Sequence, residues 1–204
     1  MFDVSVHQVA IRVGACLLIL AIHGFALAAI AWGLGDRGPK FDGRLTANPF
    51  RHLDLIGTPV MILVQVGWIR PIAIDPAELR FGRFGLVICV LGSLGITLVT
   101  VALLLQLRLL VLTFLPNAFV PTIIAVLHET VDVTAWFVLF NLLPLPPLTG
   151  MHFAAAIRPT LAPLFARYHL YAAVALGAVA LTGMMQTVLQ PIRIAIKDLL
   201  PGLY

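Results

Sequence analysis

The chain has 204 residues, of which 61% are hydrophobic and only 11% charged, with a formal net charge of +4 and a mean hydropathy of +1.04. A soluble domain carries about 25% charged residues, so a soluble fold is excluded and an integral membrane protein is expected, built as a single membrane domain over residues 1–204. The positive charge does not point to nucleic acid, because the basic residues sit in short loops beside apolar helices, where the positive-inside bias accounts for them.

In chain order, the first apolar run, 12–32, is long enough to cross about 30 Å of hydrocarbon. Gly33, Gly35, Gly38 and Pro39 stop it. It does not read as a cleaved signal peptide. A polar loop occupies 35–54, a short apolar stretch 55–68, and a second polar loop 70–83. The second span is expected over 84–107 and, after Pro116 and Pro121, the third over 122–143. A third loop holds a proline-rich stretch and "RPTLAP". The fourth span is expected over 168–190. The tail "PIRIAIKDLLPGLY" reads as a short interfacial helix, with Ile192, Ile194, Ile196, Leu199 and Leu200 apolar beside Arg193, Lys197 and Asp198. Cys16 and Cys89 each lie inside an apolar run and read as two unrelated buried thiols, not a disulfide.

The stretch 55–68 would make a helix of about 21 Å, short for a bilayer. The loops beside it carry Arg37, Lys40, Arg44 and Arg51 on one side and Arg70, Arg80 and Arg83 on the other. A full crossing would divide those charges between two faces. A re-entrant or shallow segment keeps them together on the cytoplasmic face, with Arg158 and Arg167. Four spans plus one re-entrant segment is therefore the expected topology. Re-entrant backbone must be buried in protein or reached by water, which implies a cavity near that face.

The stretch "FNLLPLPPLTG", 140–150, interrupts apolar sequence with Pro144, Pro146 and Pro147. Prolines remove backbone donors and end helices, so the third span should unwind here, with Asn141 placed to satisfy freed backbone groups. The stretch closes on Thr149 and Gly150, and His152 follows.

These residues resemble the site-2 protease family of intramembrane zinc metalloproteases. "FNLLPLPPLTG" is similar to that family's Asn-x-x-Pro-x-Pro-x-x-Asp-Gly signature. The loop "LGDRGPKFDGRLTANPFRHLDLIGT" and the segment "GWIRPIAIDPAELR" resemble further segments of its bacterial branch, in the same order, from about His23 to His152. The resemblance implies an all-α polytopic fold with a site-2-protease-like core, about four transmembrane helices, a re-entrant segment and a C-terminal interfacial helix. It also implies a zinc site made by His-Glu-x-x-His on the first span and an aspartate in the proline motif, with the glutamate as general base. Here "HGFAL" stands at the first motif: His23 is present, the base position is Gly24, the second ligand position is Leu27, and the aspartate position is Thr149. The second span reads "GSLGI", with Ile96 where the family has a substrate-holding asparagine.

Glycine and leucine side chains cannot coordinate metal, a threonine hydroxyl does not replace a carboxylate, and loss of a general base alone costs about 10²–10⁴-fold in rate. No catalytic site is therefore expected to be intact at His23, Gly24, Leu27 and Thr149, and no metal or other cofactor. His23, His52 and His152 read as structural. "HETVD", with His128, Glu129 and Asp132, has ligand-like spacing but lies about 20 Å along a helix from the proline break. It reads as a polar patch or a contact for a partner subunit. The implied function is a catalytically inactive member acting as an accessory or binding subunit of a larger membrane complex, in a bacterial inner membrane, with the bilayer and other transmembrane subunits as partners. The alternatives are an active intramembrane zinc metalloprotease with an unorthodox site, and an assembly factor for an energy-converting membrane complex.

Overall fold

The computed structural model describes residues 5–199, and among them every regular element is helical. The long helices are α1 (Val6–Leu34), α4 (Arg83–Gln106), α6 (Val120–Asn141), α8 (Leu161–Leu181) and α9 (Met184–Leu199); the short ones are α2 (Gly38–Phe41), α3 (Gly57–Val64), α5 (Arg108–Phe114) and α7 (Met151–Ile157). Among the described residues, four stretches are long and apolar enough to cross a membrane: Val6–Leu34, Arg83–Phe114, Val120–Asn141 and Leu161–Leu181. The protein is thus an all-α polytopic membrane protein.

Local chemistry sets the element ends. Ser5 and Gln8 form a capping box that starts α1 six residues before the expected position. Gly35, at φ 121°, ends α1, a conformation that glycine adopts without steric cost. Pro163 falls in the first turn of α8, where its missing N–H is not needed. The fourth span therefore begins at Leu161, not 168, and it stops at Leu181 because Gly183 turns the chain at φ 77°. Residues expected at the end of that span instead open α9, which runs through Pro191 to Leu199; the expected apolar position Leu200 lies outside the described residues. The short helix α7 falls where only loop was expected.

The spans alternate in direction. Side chains of α1 meet α4 in reverse order, as Gly92 against Ile30 and Thr97 against His23 show. They meet α6 in the same order, as Arg12 with Glu129 and His23 with Phe137 show. The polar loops meet at one end of the bundle. Arg80 N–H donates to the Leu34 carbonyl at 2.7 Å, Asp75 N–H to Asp36 Oδ2 at 2.9 Å, and the Arg44 guanidinium to the carbonyls of Arg51 and Arg70. Loops 35–54 and 70–83 thus share one end. Impermeant cysteine labelling in the Arg44 and Arg80 loops is expected to give the same answer for both; labelling of one alone from outside would show that 55–68 crosses.

The stretch 55–68 doubles back. α3 enters, Gln65 turns in the left-handed conformation (φ 63°), and the chain returns extended until Arg70 N–H bonds the His52 carbonyl at 2.9 Å. Glycines let the two limbs touch: Gly57 lies against the Trp68 ring, and a Cβ on Gly67 would stand 2.4 Å from the Gly57 carbonyl. The tip goes deeper than a shallow segment would. It reaches the level of Arg12, about 16 Å along α1 from His23. Such a tip must have its carbonyls paired inside the bundle. Arg12 donates to the Ile62 and Leu63 carbonyls and to Glu129, Gln65 donates to Glu129 at 2.7 Å, and Gln186 of α9 donates to the Val64 carbonyl at 2.8 Å. Removing one partner of a buried ion pair costs about 3–5 kcal/mol. With Arg12 and Glu129 about one fifth exposed, Arg12→Ala is expected to destabilise by about 2–3 kcal/mol, at the lower end. Thermal unfolding in detergent measures it, and a loss below ~0.5 kcal/mol would mean the tip is held by packing alone.

Candidate functional site

A buried polar node joins α1, α4, the proline stretch and the end of α6. His23 is fully buried; its Nδ1 lies 3.2 Å from Thr97 Oγ1 and its Nε2 3.0 Å from Thr149 Oγ1. The Thr97 hydroxyl donates to the Ser93 carbonyl at 2.7 Å. Its proton is thus spent, and Thr97 must accept from His23 Nδ1–H. That puts the lone pair on Nε2; the single proton of the Thr149 hydroxyl has two acceptors in reach, His23 Nε2 at 3.0 Å and Asn141 Oδ1 at 3.3 Å. Asn141 completes the node. Its Nδ2 donates to the Gly67 and Phe137 carbonyls, both at 2.9 Å, and its Oδ1 accepts from Thr149 N–H at 3.2 Å. One side chain thereby ties the re-entrant segment to the proline turn.

The turn is built for this. α6 ends at Asn141, Pro144 and Pro146 occupy the non-helical stretch that follows, and the Pro146–Pro147 peptide is cis. A Cβ on Gly150 would stand 2.2 Å from the Leu143 carbonyl and 2.8 Å from that of Asn141. Only glycine lets the turn close and present Thr149 to His23.

Beside the node, Gly24 faces an imidazole. A Cβ at position 24 would stand 2.2 Å from His52 Nδ1 and 2.3 Å from His52 Cγ. The loop before α3 thus pushes His52 into the space a side chain at 24 would claim. His52 Nε2–H donates to the Thr46 carbonyl at 2.9 Å, and its buried Nδ1 has no partner among the described residues. Burial pulls the His52 pKa below its ordinary value; the Thr46 carbonyl opposes this and the nearby Arg44 cation adds to it. Leu27, one turn beyond His23, is 1% exposed and belongs to the same apolar cluster as Met61, Leu86 and Phe137.

These residues do not fit zinc. The donor set is one imidazole with both nitrogens engaged by hydroxyls, and no carboxylate or thiol joins it; among the described residues no three His, Cys, Asp or Glu side chains come together.

Other sequence candidates lie elsewhere. Ile96 is 45% exposed on the outer face of α4, and the α4 residues that face the node are Thr97 and Ser93. The helical register, not the local motif, decides this, and His52 likewise carries no local signal. Glu129 is not a free patch residue, since Arg12 and Gln65 hold it inside the bundle; His128 and Asp132 are half-buried on α6.

His152, on α7, is buried and hydrogen-bonded to the Ile72 backbone, and burial pulls its pKa from 6.5 down to about 4. A depressed histidine pKa means that the unfolded chain binds the proton first. The contribution of neutral His152 is complete above about 6.5 and is lost as the pH falls toward 4. Thermal stability is expected to fall across that window, and less steeply in His152→Gln; identical profiles would exclude the assignment.

At the loop end, Arg44 is 7% exposed, and its two carbonyl acceptors, on Arg51 and Arg70, carry no formal charge. Burial brings its pKa down to about 10, helped by Arg70 and opposed by Asp42. Beside it a groove of about 940 Å³ opens between the base of the re-entrant segment and the helices α7 and α8.

No family model matches the chain, and no solved structure matches it. Among curated proteins, the chain is similar to "Putative zinc metalloprotease YwhC" of Bacillus subtilis (strain 168), at 32% identity over 143 residues, 66% of this chain and 63% of that protein. The similarity therefore spans just under two thirds of the relative's length.

Proposed function

We propose that the chain is a catalytically silent relative of the site-2 zinc metalloproteases, serving as a binding or accessory subunit among other transmembrane proteins of a bacterial inner membrane. The resemblance of its motifs and the 32% identity to a protein named as a zinc metalloprotease support the ancestry. One observation carries the silence: Thr149 and His23 are hydrogen-bonded directly to each other at 3.0 Å, where the resemblance would put two ligands of one metal. The His52 ring at Gly24 supports it further, because the position of the general base is filled by packing. What then remains to act is the helical surface and the groove.

Elemental analysis of the purified full chain, with a cleavage assay on a helical test substrate, tests this. The expected result is no stoichiometric zinc and no cleavage. About one zinc per chain, lost in His23→Ala or Thr149→Ala, would overturn the reading.

A further inference from the structure

We propose that the groove at the loop end holds one anionic glycerophospholipid, with its phosphate at Arg70 and an acyl chain along the apolar floor. The inference does not depend on whether the chain is catalytically silent.

Three observations converge. The first is chemical: apart from Arg70, Asp54 and two histidines, the lining is apolar side chains such as Leu53, Ile74, Ala155 and Phe165. Asp54 Oδ1 accepts the N–H groups of Ile56 and Gly57, which holds this carboxylate at the head of α3. The second is electrostatic. Arg70 lines the groove, Arg51 follows the lining residue Phe50, and Arg44 is buried behind them with its Nε unpaired. Among the described residues no carboxylate lies within 4.0 Å of any of these three cations. Asp42 offsets part of the Arg44 charge, but three cations against Asp42 and Asp54 leave a positive excess that favours an anion, and basic pockets between spans on the cytoplasmic side take anionic lipid headgroups. The third is access. One wall of the groove is α8, a span with only 17% of its apolar window buried inside the protein, so an acyl chain lying against α8 at the groove would be on the side that faces the bilayer. An acidic peptide would satisfy the arginines but would also lay its own N–H and C=O groups on an apolar floor, at a cost for each unpaired group. An acyl chain carries none.

The test uses the full chain, reconstituted in nanodiscs of equal phosphatidylglycerol and phosphatidylcholine, then released for native mass spectrometry. About one phosphatidylglycerol per chain should be retained, with phosphatidylcholine lost. Arg70→Gln should lower that retention about 5-fold, and adding Arg51→Gln should lower it again, as expected for ~1 kcal/mol per arginine near an anionic surface. The carbonyls that hold Arg44 are backbone groups, so these variants leave that staple in place. Ala166→Trp, on the exposed α8 wall, should abolish retention of either lipid. Equal retention of both lipids, undiminished retention in the double arginine variant, or a peptide bound in place of lipid would each overturn the proposal.

Discussion

The variant Gly24→Glu, Leu27→His, Thr149→Asp, which installs the site-2 protease pattern that the motifs resemble, is expected to lose folded yield instead of gaining a metal site. Each change meets a specific obstacle. A Cβ at 24 overlaps the His52 ring, at 2.2–2.6 Å from three of its atoms. That ring is pinned by its Nε2 bond to Thr46, and its backbone carbonyl holds Arg70. Overpacking of this kind costs about 1–3 kcal/mol. Histidine at 27 puts two ring nitrogens into an apolar cluster, and an unpartnered buried polar group costs about 1–3 kcal/mol. Aspartate at 149 turns the hydroxyl donor facing His23 Nε2 into a carboxylate that also faces Asn141 Oδ1. The first two costs alone sum to about 2–6 kcal/mol, which reaches the lower end of a whole domain's stability of about 5–15 kcal/mol, and the aspartate adds to it. Gly24→Ala alone separates the causes: it should lower the unfolding temperature clearly, and His52→Ala added to it should recover part of the loss by vacating the space. A triple variant that folds, binds zinc and cleaves a helical substrate would show the site open and only its ligands missing.

How much of this was legible in the sequence depended on the range of the interactions. Span positions followed from hydropathy, and the hairpin of 55–68 followed from its length and the charge on both flanks. Those signals are local, and the ends they gave were shifted where capping and turn residues decide: Ser5 and Gln8 start α1 early, α5 prolongs the second apolar stretch to Phe114, and Pro163 and Gly183 move the boundaries of α8. The node was only half legible. His23, Thr149 and Asn141 were found because they sit in quoted motifs. Thr97 was not, since its role comes from helix register, and His52 was read only as a structural residue of its loop, without the inward fold that sets it against Gly24. Ile96 was assigned to the cleft on motif position alone, and one residue of helical rotation moves it to the outer face. The depth of the re-entrant tip was hidden for a similar reason. It rests on Arg12, Gln65, Glu129 and Gln186, which lie far apart in the chain; three of them look like isolated polar residues, and Glu129 reads as part of the HETVD patch.

Asn141→Leu is expected to have the largest effect of any single substitution at the node. The side chains are similar in size, so packing changes little and the polar loss can be read directly. Asn141 is fully buried and serves two segments that, among the described residues, have no other polar link through this point. Without its amide, the Gly67 carbonyl and Thr149 N–H lose the partners described above; the Phe137 carbonyl still has its helical partner, because it lies four residues before Asn141 in α6. Two orphaned backbone groups at about 1–3 kcal/mol each give a loss of about 2–6 kcal/mol. Thr149→Val, which orphans only His23 Nε2, should cost about 1–3 kcal/mol. Because Asn141 and Thr149 contact each other, the two losses should not add, and the double variant should fall short of the sum by ~0.5 kcal/mol or more. Hydrogen exchange supplies the structural readout. In Asn141→Leu, protection should fall together at the returning limb of the re-entrant segment, around Gly67, and at the proline turn, around Thr149. Faster exchange in one segment without the other would mean that Asn141 does not couple them, and that the re-entrant segment is held by its tip alone.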